Sequence, residues 1–217
     1  MTQLKSNTNP LKIAIIGSRG YPYVYSGYET LIRELSERLV EKGCEVTVYC
    51  HRSLFKEKPA HVNGIKLVYM PTIETKSLSQ FIHSFLSMCH AVVSDADVVF
   101  AVNAANGPFG LISKIFRKPT AINVDGLEWL RPKWKGLGAR YFKIAAWLST
   151  ILFDQIINDS EEMRKVYLNI FKKESVVIAY GATIKKPEDP SLIHQWLIAP
   201  KEYYLVVGRM IPDNNAD

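Results

Sequence analysis

Two hydrophobic periods alternate along most of this chain. Residues 11–16 form a short, continuous apolar run that stops at Gly17, the pattern of a strand buried on both faces. Residues 26–42 repeat every three to four positions instead. Leu31, Leu35, Leu39 and Val40 make one stripe, with Glu34, Glu37, Arg38 and Glu41 mostly off it, which predicts an amphipathic helix. Ser26 and Glu29 have capping-box spacing, and Gly43 stands where that helix should end. The alternation continues with strands predicted at 45–50, 64–70, 97–102, 119–124, 154–158 and 175–179. Helices are predicted at 77–94, from near Pro108, over 134–153, and from a cap at Asp159 to about Lys172. Strand–helix alternation of this kind builds an α/β fold, a doubly wound parallel sheet with helices on both faces.

The pattern changes after residue 182. Pro187, Pro190 and Pro200 interrupt 183–202, which reads as a linker with one short helix. A new apolar strand is predicted at 203–208, nine residues before the last residue, Asp217. A parallel strand needs a crossover helix and sheet neighbours, so 203–217 is expected to open a second, truncated domain after a first domain at 1–182. Hydrophobic residues at 47% and charged residues at 22% suit a globular chain. No apolar run approaches the roughly 18 residues of a membrane span, and residues 1–10 lack a signal-peptide core, so a cytoplasmic protein is expected. Cys44, Cys50 and Cys89 have no metal-ligand spacing and are expected to be buried thiols; no metal is expected. The net charge of +6 favours an anionic partner, whether nucleic acid, a membrane surface or a phosphorylated substrate.

Four segments carry candidate chemistry. Gly17-Ser18-Arg19-Gly20 through Ser26-Gly27-Tyr28-Glu29 joins the first strand to the first helix, at the edge where open parallel sheets bind ligands. Glycines admit a phosphate close to the backbone, and a helix amino terminus adds about 0.3–1 kcal/mol toward an anion when exposed. The spacing is neither G-x-G-x-x-G nor a P-loop, and a ligand-free turn is the competing reading. Asn123-Val124-Asp125-Gly126-Leu127-Glu128-Trp129-Leu130-Arg131 places two carboxylates, a tryptophan and an arginine at the same edge. These groups suit sugar hydroxyls, proton transfer and a flat sugar face, unless Asp125 merely caps a turn. Residues 131–143 interleave Arg131, Lys133, Lys135, Arg140 and Lys143 with Trp134, Tyr141 and Phe142, and no acidic residue occurs between Glu128 and Asp154. Such a segment suits an anionic membrane surface or a solvated, snorkelling helix face; no nucleic-acid-binding motif is present. Finally, Gly208-Arg209 puts an arginine just after a strand, where it suits a phosphate.

Together these residues resemble family 4 glycosyltransferases, whose GT-B architecture sets two Rossmann-like domains across a cleft. The likeness rests on Ile-Gly-Ser-Arg-Gly-Tyr-Pro at 16–22, Ser-Gly-Tyr-Glu-Thr at 26–30, Asp-Gly-Leu-Glu-Trp at 125–129, Asn-Asp-Ser at 158–160, Tyr-Gly-Ala at 180–182 and Val-Gly-Arg-Met-Ile-Pro at 207–212. It is nearest to the rhamnosyltransferase-like branch carrying a DUF1972 amino-terminal domain. The resemblance implies an acceptor-side domain, and a nucleotide-sugar co-substrate (dTDP-, UDP- or GDP-linked) bound largely by the second domain. Transfer would proceed with retention and without a metal or other cofactor. It implies that Gly17, Gly20, Gly27 and Arg209 face the donor diphosphate, that Asp125 is the catalytic-site carboxylate, and that Tyr28, Glu29, Glu128, Trp129 and Arg131 face the acceptor. Lys133, Trp134, Lys135, Arg140 and Lys143 would face the inner surface of the cell membrane, where a lipid-linked saccharide is the acceptor in polysaccharide synthesis. Asn214 and Asn215 stand where many relatives place a phosphate-binding lysine, and the acidic E-x7-E of the second domain is not in the sequence. The 217-residue chain alone is therefore expected to be inactive. A sugar-nucleotide epimerase of the same architecture and a non-catalytic binding module are the competing functions.

Overall fold

A computed structural model describes residues 9–22, 27–73, 75, 78–132, 134–184, 189–199 and 201–207. Its centre is an eight-stranded sheet in the order β3-β4-β2-β1-β5-β6-β7-β8. The strands are β1 (Lys12–Ile16), β2 (Glu45–His51), β3 (His61–Val62), β4 (Ile65–Met70), β5 (Val98–Val102), β6 (Thr120–Val124), β7 (Gln155–Asn158) and β8 (Val176–Val177). All neighbours pair in parallel except β3, an antiparallel hairpin partner of β4. The helices are α1 (Gly27–Glu41), α2 (Leu78–Val93), α3 (Gly110–Ile115), α4 (Leu137–Leu152) and α5 (Glu161–Phe171). Strand order reverses between β1 and β5, which creates the crevice at the carboxyl ends of those strands where such sheets hold ligands.

The doubly wound arrangement follows from the two faces of each strand. In β1, Ile13 and Ile15 join Val46, Val48 and Ile32 of α1 in one core, while Ala14 and Ile16 join Met88 of α2, Ala146 of α4 and Tyr167 of α5 in the other. A continuous apolar run is what a strand covered on both sides requires, and each fully buried Ile stabilises by about 1.5–3 kcal/mol. Gly43 closes α1 at φ +85°, and its N–H donates to Val40 O at 2.9 Å.

Several boundaries depart from the sequence reading. The cap of α5 is Ser160 rather than Asp159: its hydroxyl accepts from Met163 N and itself donates to Asp159 at 3.1 Å. Near Pro108 the chain forms a 3-10 turn over Ala104–Phe109 before α3 begins. Gly107 must pass so close to α4 that an added Cβ would lie 2.0 Å from Ala145 O. Helix α4 starts at Leu137, because Gly136 takes φ +56° ahead of it. The strand at 175–179 shrinks to β8, and the two-residue β3 has no sequence signature of its own. Residues 203–207 are exposed and pair with no described strand. The Ser26 half of the capping box lies outside the described residues. Among the cysteines, Cys50 is buried and its thiol is pushed up to about 11 by burial, while Cys44 and Cys89 are only partly covered.

Candidate functional site

The glycine loop is built to hold its own shape. Gly17 takes φ +94°, and an added Cβ would sit 2.5 Å from Val102 O and 2.6 Å from Asn106 Nδ2. Gly20 takes φ +125° with its missing side chain against Cys50, 2.8 Å from both Cβ and Sγ. Both are therefore required by close backbone approach as well as by conformation. Gln80 Nε2 donates to Gly17 O at 3.0 Å, and Arg19 N donates to Glu29 Oε1 at 3.1 Å. His51 N donates to Arg19 O at 3.1 Å. Farther along, Tyr21 OH donates to Glu37 at 2.6 Å and accepts from Asn63 at 2.7 Å. Glu29 is only 4% exposed, so the residue expected to face the acceptor is a brace for the loop. Gly27, the first residue of α1, has open space where a Cβ would lie.

The loop after β6 is arranged differently. The Tyr28 hydroxyl at the start of α1 donates to the Asp125 carboxylate at the end of β6, joining the two loops across the carboxyl edge. Burial raises the Asp125 pKa, and the Asp159 and Glu128 charges raise it further, against the hydrogen bond from Tyr28, which lowers it. Burial and the Asp125 charge push the Tyr28 phenol well above its ordinary value. Tyr180 is pushed up by the same two causes, and its hydroxyl donates to Asn123 Oδ1 at 2.8 Å. Behind them Tyr167 is wholly buried, feels the Asp125 charge, and has no hydrogen-bond partner for its hydroxyl among the described residues.

Glu128 organises the segment that follows. It accepts from Arg131 at 2.7 Å and from Trp134 Nε1 at 2.9 Å. Trp134 also packs its ring 4.6 Å from that of Phe142, and Trp129 meets Phe171 edge-on at 5.9 Å. Trp129 packs against the core, and both tryptophans remain partly exposed. Lys135, Arg140 and Lys143 are exposed, whereas Lys133 and Arg209 lie outside the described residues. The structure brings Tyr28, Asp125 and Glu128 to one edge and adds Asn123, Asp159, Tyr167 and Tyr180. The signal for one of these was present: Asn123 is an amide inside an apolar strand. The tyrosines are gathered from 28, 167 and 180, a convergence only the fold supplies. Among the described residues no group of three or more His, Cys, Asp or Glu side chains is set to hold a metal ion.

The arrangement is one edge with two chemical halves. One offers rigid backbone and a helix amino terminus, which favours an anion. The other offers a carboxylate with raised pKa among phenols, able to orient hydroxyls or hold a proton. Fold and edge together define a Rossmann-like domain of GT-B type. Among solved structures the chain is similar to sucrose-phosphate synthase from Thermosynechococcus elongatus (TM-score 0.64, 15% identity, 87% of this chain and 53% of that one). It is also similar to Arabidopsis thaliana UGT89C1 complexed with UDP-L-rhamnose (TM-score 0.50, 12% identity, 90% and 56%). A UGT transferase from Siraitia grosvenorii in complex with UDP matches at TM-score 0.53 and 10% identity, over 86% and 53%. The chain thus spans about half the length of these structures. The chain belongs to the family described as "Domain of unknown function (DUF1972)", which matches residues 11–183. Over 61 residues, 28% of this chain and 16% of its relative, it is 34% identical to an uncharacterized 42.6 kDa protein in the cps region of Klebsiella pneumoniae.

Proposed function

We propose that this chain forms the acceptor-side half of a glycosyltransferase. The enzyme moves a sugar, rhamnose by family resemblance, from a nucleotide-sugar to a lipid-linked saccharide at the cytoplasmic face of the membrane. Retention of configuration and a role in polysaccharide synthesis follow from the same resemblance, and the cps-region relative agrees with the latter. The observation that carries the reading is the contact between Tyr28 and Asp125, which sets a carboxylate beside the glycine loop at the carboxyl edge of the sheet. In this reading the loop backbone and the amino terminus of α1 face the donor diphosphate. Asp125, held by Tyr28, receives sugar hydroxyls, and Glu128 keeps Arg131 in place beside it.

The test is transfer of radiolabelled sugar from a panel of nucleotide-sugars to membrane lipid extract, using the full natural gene product and its Asp125→Asn variant. A loss of about 100- to 10,000-fold is expected, the range for removing a positioned acid–base group. Unchanged turnover in the variant would sink the proposal. The 217-residue chain by itself is expected to show no turnover.

A further inference from the structure

The three helices that lie side by side over β1, β5 and β6 have an outer surface unlike that of an ordinary solvated helix layer. No Asp or Glu occurs in α2, α3 or α4. In α4 the buried stripe is Ala145, Ala146 and Ser149, small residues that seat the helix on the core. The opposite stripe is exposed and apolar: Leu137 is 84% exposed, Ile144 45%, Trp147 49% and Ile151 51%. Arg140 and Lys143 are interleaved with it and Lys135 precedes it, all exposed. On α3, Leu111 and Ile115 are likewise exposed around Lys114. On α2, the half-exposed Phe81 lies 4.9 Å from Phe109 and 6.5 Å from Tyr141 of α4, so the surface continues across the seam between the helices.

We infer that the outer faces of α2, α3 and α4 form one docking surface for an anionic lipid bilayer. Exposed apolar groups of this extent mark a contact surface, and Lys135, Arg140 and Lys143, set beside helices that carry no carboxylate, match the charge of acidic lipid headgroups, while Lys114 is paired with Asp154 at the margin. Charge complementarity selects the bilayer over a second copy of this chain, because the same face of a copy would be equally cationic. No described helix is long and apolar enough to cross a membrane, so the layer lies on the bilayer with Trp147 and its neighbours at headgroup depth. The surface is far broader than the basic 131–143 segment; the partly exposed Trp134, whose Nε1 donates to Glu128, precedes the first helical residue of α4. The docking role rests on and deepens the lipid-linked-acceptor reading, because α4 packs against the Glu128–Leu130 turn that follows Asp125. It is tested without any transferase assay, so its failure and the failure of that reading are seen separately.

The experiment is co-sedimentation of the 217-residue chain with vesicles of phosphatidylcholine, with and without phosphatidylglycerol. Binding to the anionic vesicles is expected, at least tenfold weaker on neutral ones, and weakened by salt. The triple variant Lys135→Gln, Arg140→Gln, Lys143→Gln should lose partitioning on the order of a hundredfold. Trp147→Ser with Ile151→Ser should abolish residual binding, and both variants alter only exposed side chains. Arg33→Gln with Arg38→Gln on α1 should bind as the parent does. An equal loss in that α1 control would overturn the inference, as would binding indifferent to the α4 changes. So would a dimer that the α4 changes dissociate in the absence of any vesicle binding.

Discussion

The two loops that meet at the carboxyl edge are made to opposite specifications. The glycine loop after β1 spends its distinctive residues on itself: Gly17 and Gly20 fill against Val102 and Cys50, and buried Glu29 accepts from the backbone of Arg19. The loop after β6 begins on a carboxylate whose pKa is raised by burial and by like charge, a cost the fold tolerates. Residues that hold a site in shape and residues that do its chemistry can therefore be told apart by the sign of what their removal does to stability. Strain and unfavourable charge collect where function requires them.

The largest effect should come from Gly17→Ala. A side chain there meets the Val102 carbonyl at positive φ, and a loss of about 3–5 kcal/mol is expected in urea unfolding. A loss below 1 kcal/mol would mean the loop is softer than its contacts imply. Next is acid sensitivity beneath the loop. His83 stacks on His51 at 3.9 Å, His51 meets Gln80 at 3.1 Å, and Gln80 holds Gly17. Burial, helped by His51, lowers the His83 pKa to about 3 from the ordinary 6.5. The unfolded chain takes up this proton below about pH 6.5 and the folded one does not, so stability should fall between about pH 6.5 and 3. The slope is at most about 1.4 kcal/mol per pH unit, and His83→Gln should flatten it.

On the other loop, Asp125→Asn should leave stability intact at acid pH and raise it at neutral pH, since a carboxylate with raised pKa costs the folded state most when ionised. A destabilised variant would move Asp125 into the scaffold class. Tyr28→Phe removes the hydrogen bond that lowers the Asp125 pKa. The acid limb of the pH–activity profile should move to higher pH, with a stability change of about 1 kcal/mol or less. The smallest effect is Gly27→Ala, at an open position on α1, expected within about 0.5 kcal/mol.

Much of this was legible in the residues. Continuous apolar strands and stripes of period 3.6 place every long element to within a few residues, and the alternation dictates the parallel sheet. Loop ends were less legible. Asp159 and Ser160 are both good caps, and only the backbone direction at 160 selects the serine. Glu29 reads as a functional carboxylate because its local pattern cannot show that Arg19 N will need an acceptor. Trp129 reads as an acceptor face and Trp134 as a membrane face in sequence; that they also meet Phe171 and Phe142 is a contact made only after folding. Asp125 was legible as a strand-end carboxylate; its phenolic surround was not.

Tyr180 gives the molecule a lever. The chain leaves the sheet just past β8, and this residue ties that exit to Asn123, two residues before Asp125. A displacement of the chain at Tyr180 would therefore be felt at the strand end that carries the carboxylate. The exit of the chain from the sheet and the set of the β6 end are thus fixed by one contact.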